Sequence, residues 1–192
     1  MTNPLLQTWQ TPFGMPPFES IQASHFEEAF DKALSQHQAE IAAIANNAEP
    51  PTFENTLMAL EASGDLLNQT SNVFFNLSAS HSSPEIQSLE RGLAPKLAAH
   101  SAALYLNAAL FRRIDALNHN KHQLQLDAES IRLIERYHLD FVRAGAKLEA
   151  KDRESFAQNS EKLASLFTQF SQNVLADESS FCLTLTNEEE LQ

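Results

Sequence analysis

Ser24-His25-Phe26-Glu27-Glu28-Ala29-Phe30-Asp31-Lys32-Ala33-Leu34-Ser35-Gln36-His37-Gln38-Ala39-Glu40-Ile41-Ala42-Ala43-Ile44 sets its apolar side chains three and four residues apart. Phe26, Phe30, Ala33, Leu34, His37, Ile41 and Ile44 therefore share one face of a helix. Ser24 and Glu27 have the spacing of a capping box, in which each side chain satisfies a free backbone N–H of the first turn. Glu49-Pro50-Pro51 ends the segment, because proline cannot continue a helical hydrogen-bond ladder.

The same period recurs downstream. A second helix is expected from Thr52 to Ser80, with Phe53, Leu57, Leu60, Leu67, Phe74 and Leu77 buried and Gly64 either tolerated inside it or marking close contact with a neighbour. Ser83 caps a third, with Pro84 at its first position, where the missing N–H costs nothing. Ile86, Leu89, Leu93, Leu97, His100 and Leu104 form its stripe, and Pro95 is expected to kink it. Asn107 caps a short helix through Leu110, Phe111, Ile114 and Leu117, followed by a polar loop from Asn118 to Gln123. Asp127 caps another, through Ile131, Ile134, Tyr137, His138, Phe141 and Val142, stopping near Gly145. The last long helix is expected from about Glu149 to Ala176, through Phe156, Leu163, Phe167, Phe170 and Val174. Phe181, Leu183 and Leu185 then alternate with Cys182, Thr184 and Thr186, the pattern of a short strand. Asn187 and Glu190 repeat the capping-box spacing, announcing a helix that would continue past Gln192.

Upstream, Pro4, Pro12, Pro16 and Pro17 alternate with Trp9, Phe13 and Phe18. This describes an arm over residues 1–23, ordered but irregular, laying its rings on the body. The expected class is all-α: an antiparallel bundle of about six helices over residues 24–192, with an extended Pro/aromatic arm and one short strand near the C-terminus.

Composition narrows function mainly by exclusion. The chain has 13 Lys and Arg against 25 Asp and Glu, a formal charge of −12. Binding a phosphate backbone requires basic groups to displace counterions, so neither nucleic acid nor an anionic membrane is an expected partner. No apolar run nears the ~20 residues that span a bilayer, and no secretory leader is visible at Met1-Thr2-Asn3-Pro4. The expected location is the cytoplasm.

The chemistry-bearing residues do not converge in sequence. His119 and His122 lie three apart in the polar loop without a third ligand. His37, His100 and His138 fall on or beside apolar stripes, where an imidazole with one hydrogen-bond partner is the expected reading. His25 sits at a helix start whose acidic neighbours suit the helix dipole. Glu135 and His138 make a single Glu-x-x-His pair, whereas a di-iron bundle needs two such pairs and two further glutamates. Cys182, the one cysteine, is expected to be buried and inert. With no H-E-x-x-H, G-x-S-x-G, phosphate loop or dinucleotide fingerprint, no catalytic, cofactor-binding or metal-ligating residue is expected in this chain.

Several stretches nevertheless resemble the N-terminal region of the thimet oligopeptidase and peptidyl-dipeptidase family of zinc metallopeptidases. They are Asn3-Pro4-Leu5-Leu6, Pro16-Pro17-Phe18, Pro51-Thr52-Phe53-Glu54-Asn55-Thr56 with Ala59-Leu60-Glu61-Ala62-Ser63-Gly64, and Tyr105-Leu106-Asn107 with Leu110-Phe111. Leu126-Asp127-Ala128-Glu129-Ser130-Ile131-Arg132-Leu133, Phe141-Val142-Arg143-Ala144-Gly145-Ala146-Lys147-Leu148 and Asn173-Val174-Leu175 continue the series. The stretch Ala144 to Leu148 is closer to the dipeptidyl carboxypeptidase branch than to oligopeptidase A.

The resemblance implies a helical ellipsoid split by a deep channel, with zinc held by a C-terminal catalytic domain absent from these 192 residues. It implies short unstructured peptides as substrates of the full-length enzyme and a wall role for this region. The alternatives are an endopeptidase region of the oligopeptidase A kind, a non-enzymatic helical interaction module, or a small metal-carboxylate bundle using Glu135 and His138. If the wall reading holds, helix stripes left uncovered should show as an exposed apolar patch or as self-association.

Overall fold

The computed structural model describes residues 2–184 and 186, and it is all-helical. Helix α1 runs over Ser24–Ala45. Helix α2 opens in wide π turns, Phe53–Met58, and closes with Ala59–Glu61. Helices α3 (Asp65–Ser80), α4 (Pro84–Tyr105), α5 (Ala108–Asn120), α6 (Ala128–Arg143) and α7 (Ala150–Ser180) follow. Before α1, Pro4–Leu6, Pro12–Gly14 and Phe18–Ser20 form single 3-10 turns.

Two cores share α1. Its first half contributes Phe26, Ala29 and Phe30 to a cluster with Leu5, Val73, Phe74, Ile86 and Leu93, drawn from the N-terminal segment, α3 and α4. Phe74 stands edge-on to both Phe26 and Phe30, with ring centres 5.1 and 5.5 Å away, the arrangement that ring quadrupoles favour. The second half of α1 contributes Ile41 and Ile44 to a cluster with Leu57, Leu60, Leu110, Ile114, Leu117, Ile134 and Phe141, drawn from α2, α5 and α6. His37 lies between the two along α1.

Side-chain caps appear where the chain enters a helix from extended backbone. Ser83, Asn107 and Asp127 accept N–H bonds at the starts of α4, α5 and α6. Thr52 and Asn55 form a reciprocal capping box at α2. The box expected at Ser24 does not form. Ala23 is already helical and Ser24 lies within α1, so its side chain cannot reach forward. The first turn is held differently, with the Gln22 N–H donating to the His25 ring at 3.0 Å.

Gly64 corrects a second expectation. It adopts φ +77°, left-handed backbone that costs glycine nothing and other residues roughly 1–2 kcal/mol. The chain therefore turns, and the expected helix from Thr52 to Ser80 is two, α2 and α3. α5 continues to Asn120 and meets a 3-10 turn at Lys121–Gln123 where a loop was expected. α4 passes through Pro95 as one helix.

The arm is anchored only in part by its rings. Leu5 is fully buried, and Asn3 beneath it donates to His25 O at 2.8 Å and to Glu28 at 3.0 Å. Trp9 donates to Pro4 O at 3.0 Å, but the Phe13 ring is wholly exposed. Leu5 holds the segment together with Leu6, Trp9 and Ile21, which pack against the same core; of the rings, Trp9 lies on the body and Phe13 does not.

The expected strand does not form among the described residues. Phe181–Thr184 is outside any sheet, and an alternating pattern yields a strand only where another strand supplies ladder partners. Cys182 is consequently exposed rather than buried. Leu185 and the start signal at Asn187 and Glu190 lie outside the described residues.

Candidate functional site

α7 is 31 residues long, about 46 Å at 1.5 Å per residue. It packs chiefly on α4. The side it turns to α4 is made of small and polar groups: Ala157, Ser160, Ala164, Thr168 and Gln172 are half-buried, at helical spacing. Gln172 fixes the register, donating to Gln87 O at 2.9 Å and Glu90 at 3.1 Å and accepting from Arg91.

The large apolar side chains point elsewhere. Leu163, Phe167, Phe170 and Val174 recur at i, i+4, i+7 and i+11 and are exposed, Phe167 and Phe170 by two-thirds. Leu166, Leu175, Phe181 and Leu183 extend the surface. An apolar stripe left uncovered is what the wall reading of the sequence leads one to expect. These residues share one face, but α4 takes an adjoining face, roughly 110° round the helix axis at about 3.6 residues per turn. Single exposed hydrophobes are ordinary; a continuous stripe of them marks an interaction surface. Burying each of these side chains is worth roughly 1.5–3 kcal/mol.

A second group of polar side chains lies between the two cores. The His100 ring meets the His37 ring with Nε2 and Nδ1 2.9 Å apart. His37 Nε2 lies 3.3 Å from Ser63 Oγ, and that hydroxyl donates to Leu60 O at 2.6 Å. Glu40 accepts the Gly64 N–H at 2.8 Å. Burial holds both imidazoles below the usual 6.5, His100 further disfavoured by the neighbouring His37 and His37 partly relieved by Glu40. His37 and His100 were read separately as core-edge imidazoles; their contact bridges 63 residues and leaves no spacing signal.

The remaining candidates separate. His138 binds Asp115 at 2.9 Å and stacks on Phe111. Glu135 pairs instead with Lys121 at 2.9 Å and Arg132 at 3.4 Å, holding its carboxyl below the usual range, chiefly through the Lys121 hydrogen bond. Glu135 and His138 thus serve different partners. His119 approaches Asp115 while His122 is exposed on the adjoining turn. Among the described residues, no group of three or more His, Cys, Asp or Glu is arranged to hold a metal ion. No helix among them is long and apolar enough to cross a membrane.

In sequence this chain is homologous to the N-terminal region of the thimet oligopeptidase-like peptidases. The chain is 43% identical over 175 residues to dipeptidyl carboxypeptidase of Salmonella typhimurium, a match covering 91% of it. With dipeptidyl carboxypeptidase of Escherichia coli it is 42% over 174 residues. Oligopeptidase A of Salmonella typhimurium is 26% identical over 191 residues, the whole of this chain. The chain spans 26% of the length of either carboxypeptidase and 28% of that oligopeptidase. No family model matches it.

Proposed function

We propose that this chain is the N-terminal wall domain of a zinc-dependent peptidyl-dipeptidase of the cytoplasm, and that it borders the passage through which short unfolded peptides reach the metal. The observation that carries the proposal is 43% identity over 91% of the chain with a dipeptidyl carboxypeptidase. Zinc would be held by polypeptide outside these residues, where it would polarise the scissile carbonyl and acidify its water. The part played by this domain is geometric: a wall of packed helices excludes folded proteins and aligns an extended peptide.

The α7 face supports the same reading. Relatives that this chain covers by about a quarter contain far more polypeptide, and a stripe of Leu163, Phe167, Phe170 and Val174 turned away from α4 suits a seat for it. The occupant of that face is then the catalytic part of the same protein.

The test is an assay of the protein that contains this chain together with its in-frame continuation. Release of dipeptides from the C-terminus of N-blocked peptides, abolished by a chelator and restored by zinc, is the expected result. A continuation lacking H-E-x-x-H, or a protein without metal-dependent peptidase activity, would overturn the proposal. The weaker match to oligopeptidase A favours a second reading, internal cleavage, which the same assay distinguishes by its products.

A further inference from the structure

The hydrogen-bond directions around His37 are fixed by its neighbours. Ser63 spends its one hydroxyl proton on Leu60 O, leaving Oγ as an acceptor. His37 Nε2 must therefore carry the proton that it shares with Ser63. In a neutral ring Nδ1 is then a bare lone pair, and it receives the proton on His100 Nε2. The chain runs one way: His100 Nε2–H to His37 Nδ1, His37 Nε2–H to Ser63 Oγ, Ser63 Oγ–H to Leu60 O. It joins α4 to α1, and α1 to the turn between α2 and α3.

The two imidazoles differ in what a further proton does. His100 can accept one on Nδ1 and still donate from Nε2. His37 could accept one only on Nδ1, and once His100 is charged and holds both its N–H protons, that sets two N–H donors against each other at 2.9 Å.

We propose that His37 is the proton-sensitive pin of a latch: neutral, it holds α4 to α1, and protonated beside a charged His100, it releases α4 together with α7, which packs chiefly on α4. The inference is independent of the peptidase reading.

The surrounding charges leave His37 and His100 as the groups that answer to pH. On α1, Glu40 is occupied by Gln36 and the Gly64 N–H, at 2.9 and 2.8 Å. On α4, Lys96, one turn before His100, is taken by Asp31 at 2.8 Å. At the turn, Glu61 accepts from Tyr137, and Asp65 opens α3. α7 runs along the opposite side of α4, past Gln87, Glu90 and Arg91.

The sign follows from burial. The folded pair resists protons that the unfolded chain takes near 6.5, so the latch is at full strength above that pH and weakens below it. The unfolding constant should rise by up to about tenfold per pH unit for each proton refused.

The experiment is a pH titration of the 15N-histidine-labelled chain, reading ring tautomers by long-range 1H–15N correlation and amide hydrogen exchange along α1 and α4. A lone-pair Nδ1 and protonated Nε2 at His37, kept well below pH 6.5, with α4 exchange accelerating as His37 finally protonates, is the expected result. The opposite tautomer, or free titration of His37 near 6.5 without faster exchange, overturns the proposal. His100→Gln, whose amide can still donate to His37, should keep the tautomer and lose part of the pH slope. An unchanged slope in that variant also counts against the latch, and if the variant fails to fold, the wild-type titration decides alone.

Discussion

Arg113 of α5 donates from Nη2 to the Asn55 side-chain oxygen at 2.7 Å, across 58 residues. Its Nη1 donates to Asn47 O and Glu49 O, both at 3.0 Å. Asn55 meanwhile caps its own helix through Thr52 and donates to Pro50 O at 3.0 Å. One buried guanidinium thus fixes the Pro-Pro turn between α1 and α2. Arg113→Ala should cost about 3 kcal/mol, since it strips carbonyls of a charged donor inside the fold. Arg113→Lys should recover less than half, because an ammonium cannot span the fork. Urea unfolding of the two variants checks both figures.

The Pro51 to Thr56 stretch was legible as a motif, but its purpose was not. Sequence shows Asn55 at a helix start; it does not show that a distant arginine needs its oxygen. Helix positions on α1, α4, α5 and α6 were legible because Phe30, Ile86, Ile114 and Phe141 mark faces that really are buried. On α7 the same pattern marks a face that stays open. Periodicity reports that Leu163, Phe167 and Phe170 share a face, not that a partner within this chain covers it. Among the described residues, Phe181 to Thr184 alternate without forming a strand, since alternation cannot supply a second one. His37 and His100 were each placed at the core edge, yet their pairing depends on how α1 crosses α4, which no local pattern encodes.

Phe167 and Phe74 should respond oppositely to truncation. Phe74 is fully buried among Phe26 and Phe30, and Phe74→Ala should lose about 4 kcal/mol through the cavity it leaves. Phe167 is 66% exposed, and Phe167→Ser should stay within about 0.5 kcal/mol of the parent. The second variant should instead lower binding of an apolar dye and any self-association seen by sedimentation. A large stability loss from Phe167→Ser would show that the α7 face is covered within the chain.

Gly64 is the position where one methyl group tests both the turn and the latch. A Cβ there would meet three His37 ring atoms at 3.1–3.2 Å, on backbone with φ +77°. Gly64→Ala should therefore destabilise by about 1–2 kcal/mol and also displace the His37 ring from Ser63. Melting temperature reads the first effect and the His37 ring shifts read the second; strain alone would change only the melting temperature.

Glu40 should add a separate acid limb to the stability profile. Hydrogen bonds from Gln36 and from the Gly64 N–H hold its carboxyl below 4.5. A carboxylate stabilised in the folded state binds protons less readily there than when unfolded, so its contribution is complete above 4.5 and disappears as pH falls through the depressed folded value. The imidazole limb begins near 6.5, so the two should separate in a plot of unfolding free energy against pH. Glu40→Gln keeps an oxygen for the Gly64 N–H and removes the titrating group. It should flatten the acid limb and leave the imidazole limb in place, apart from a small further depression of His37, which loses the attraction of a nearby anion. Loss of both limbs in Glu40→Gln would mean that the carboxylate, rather than the ring chain, carries the pH dependence of the α1–α4 contact.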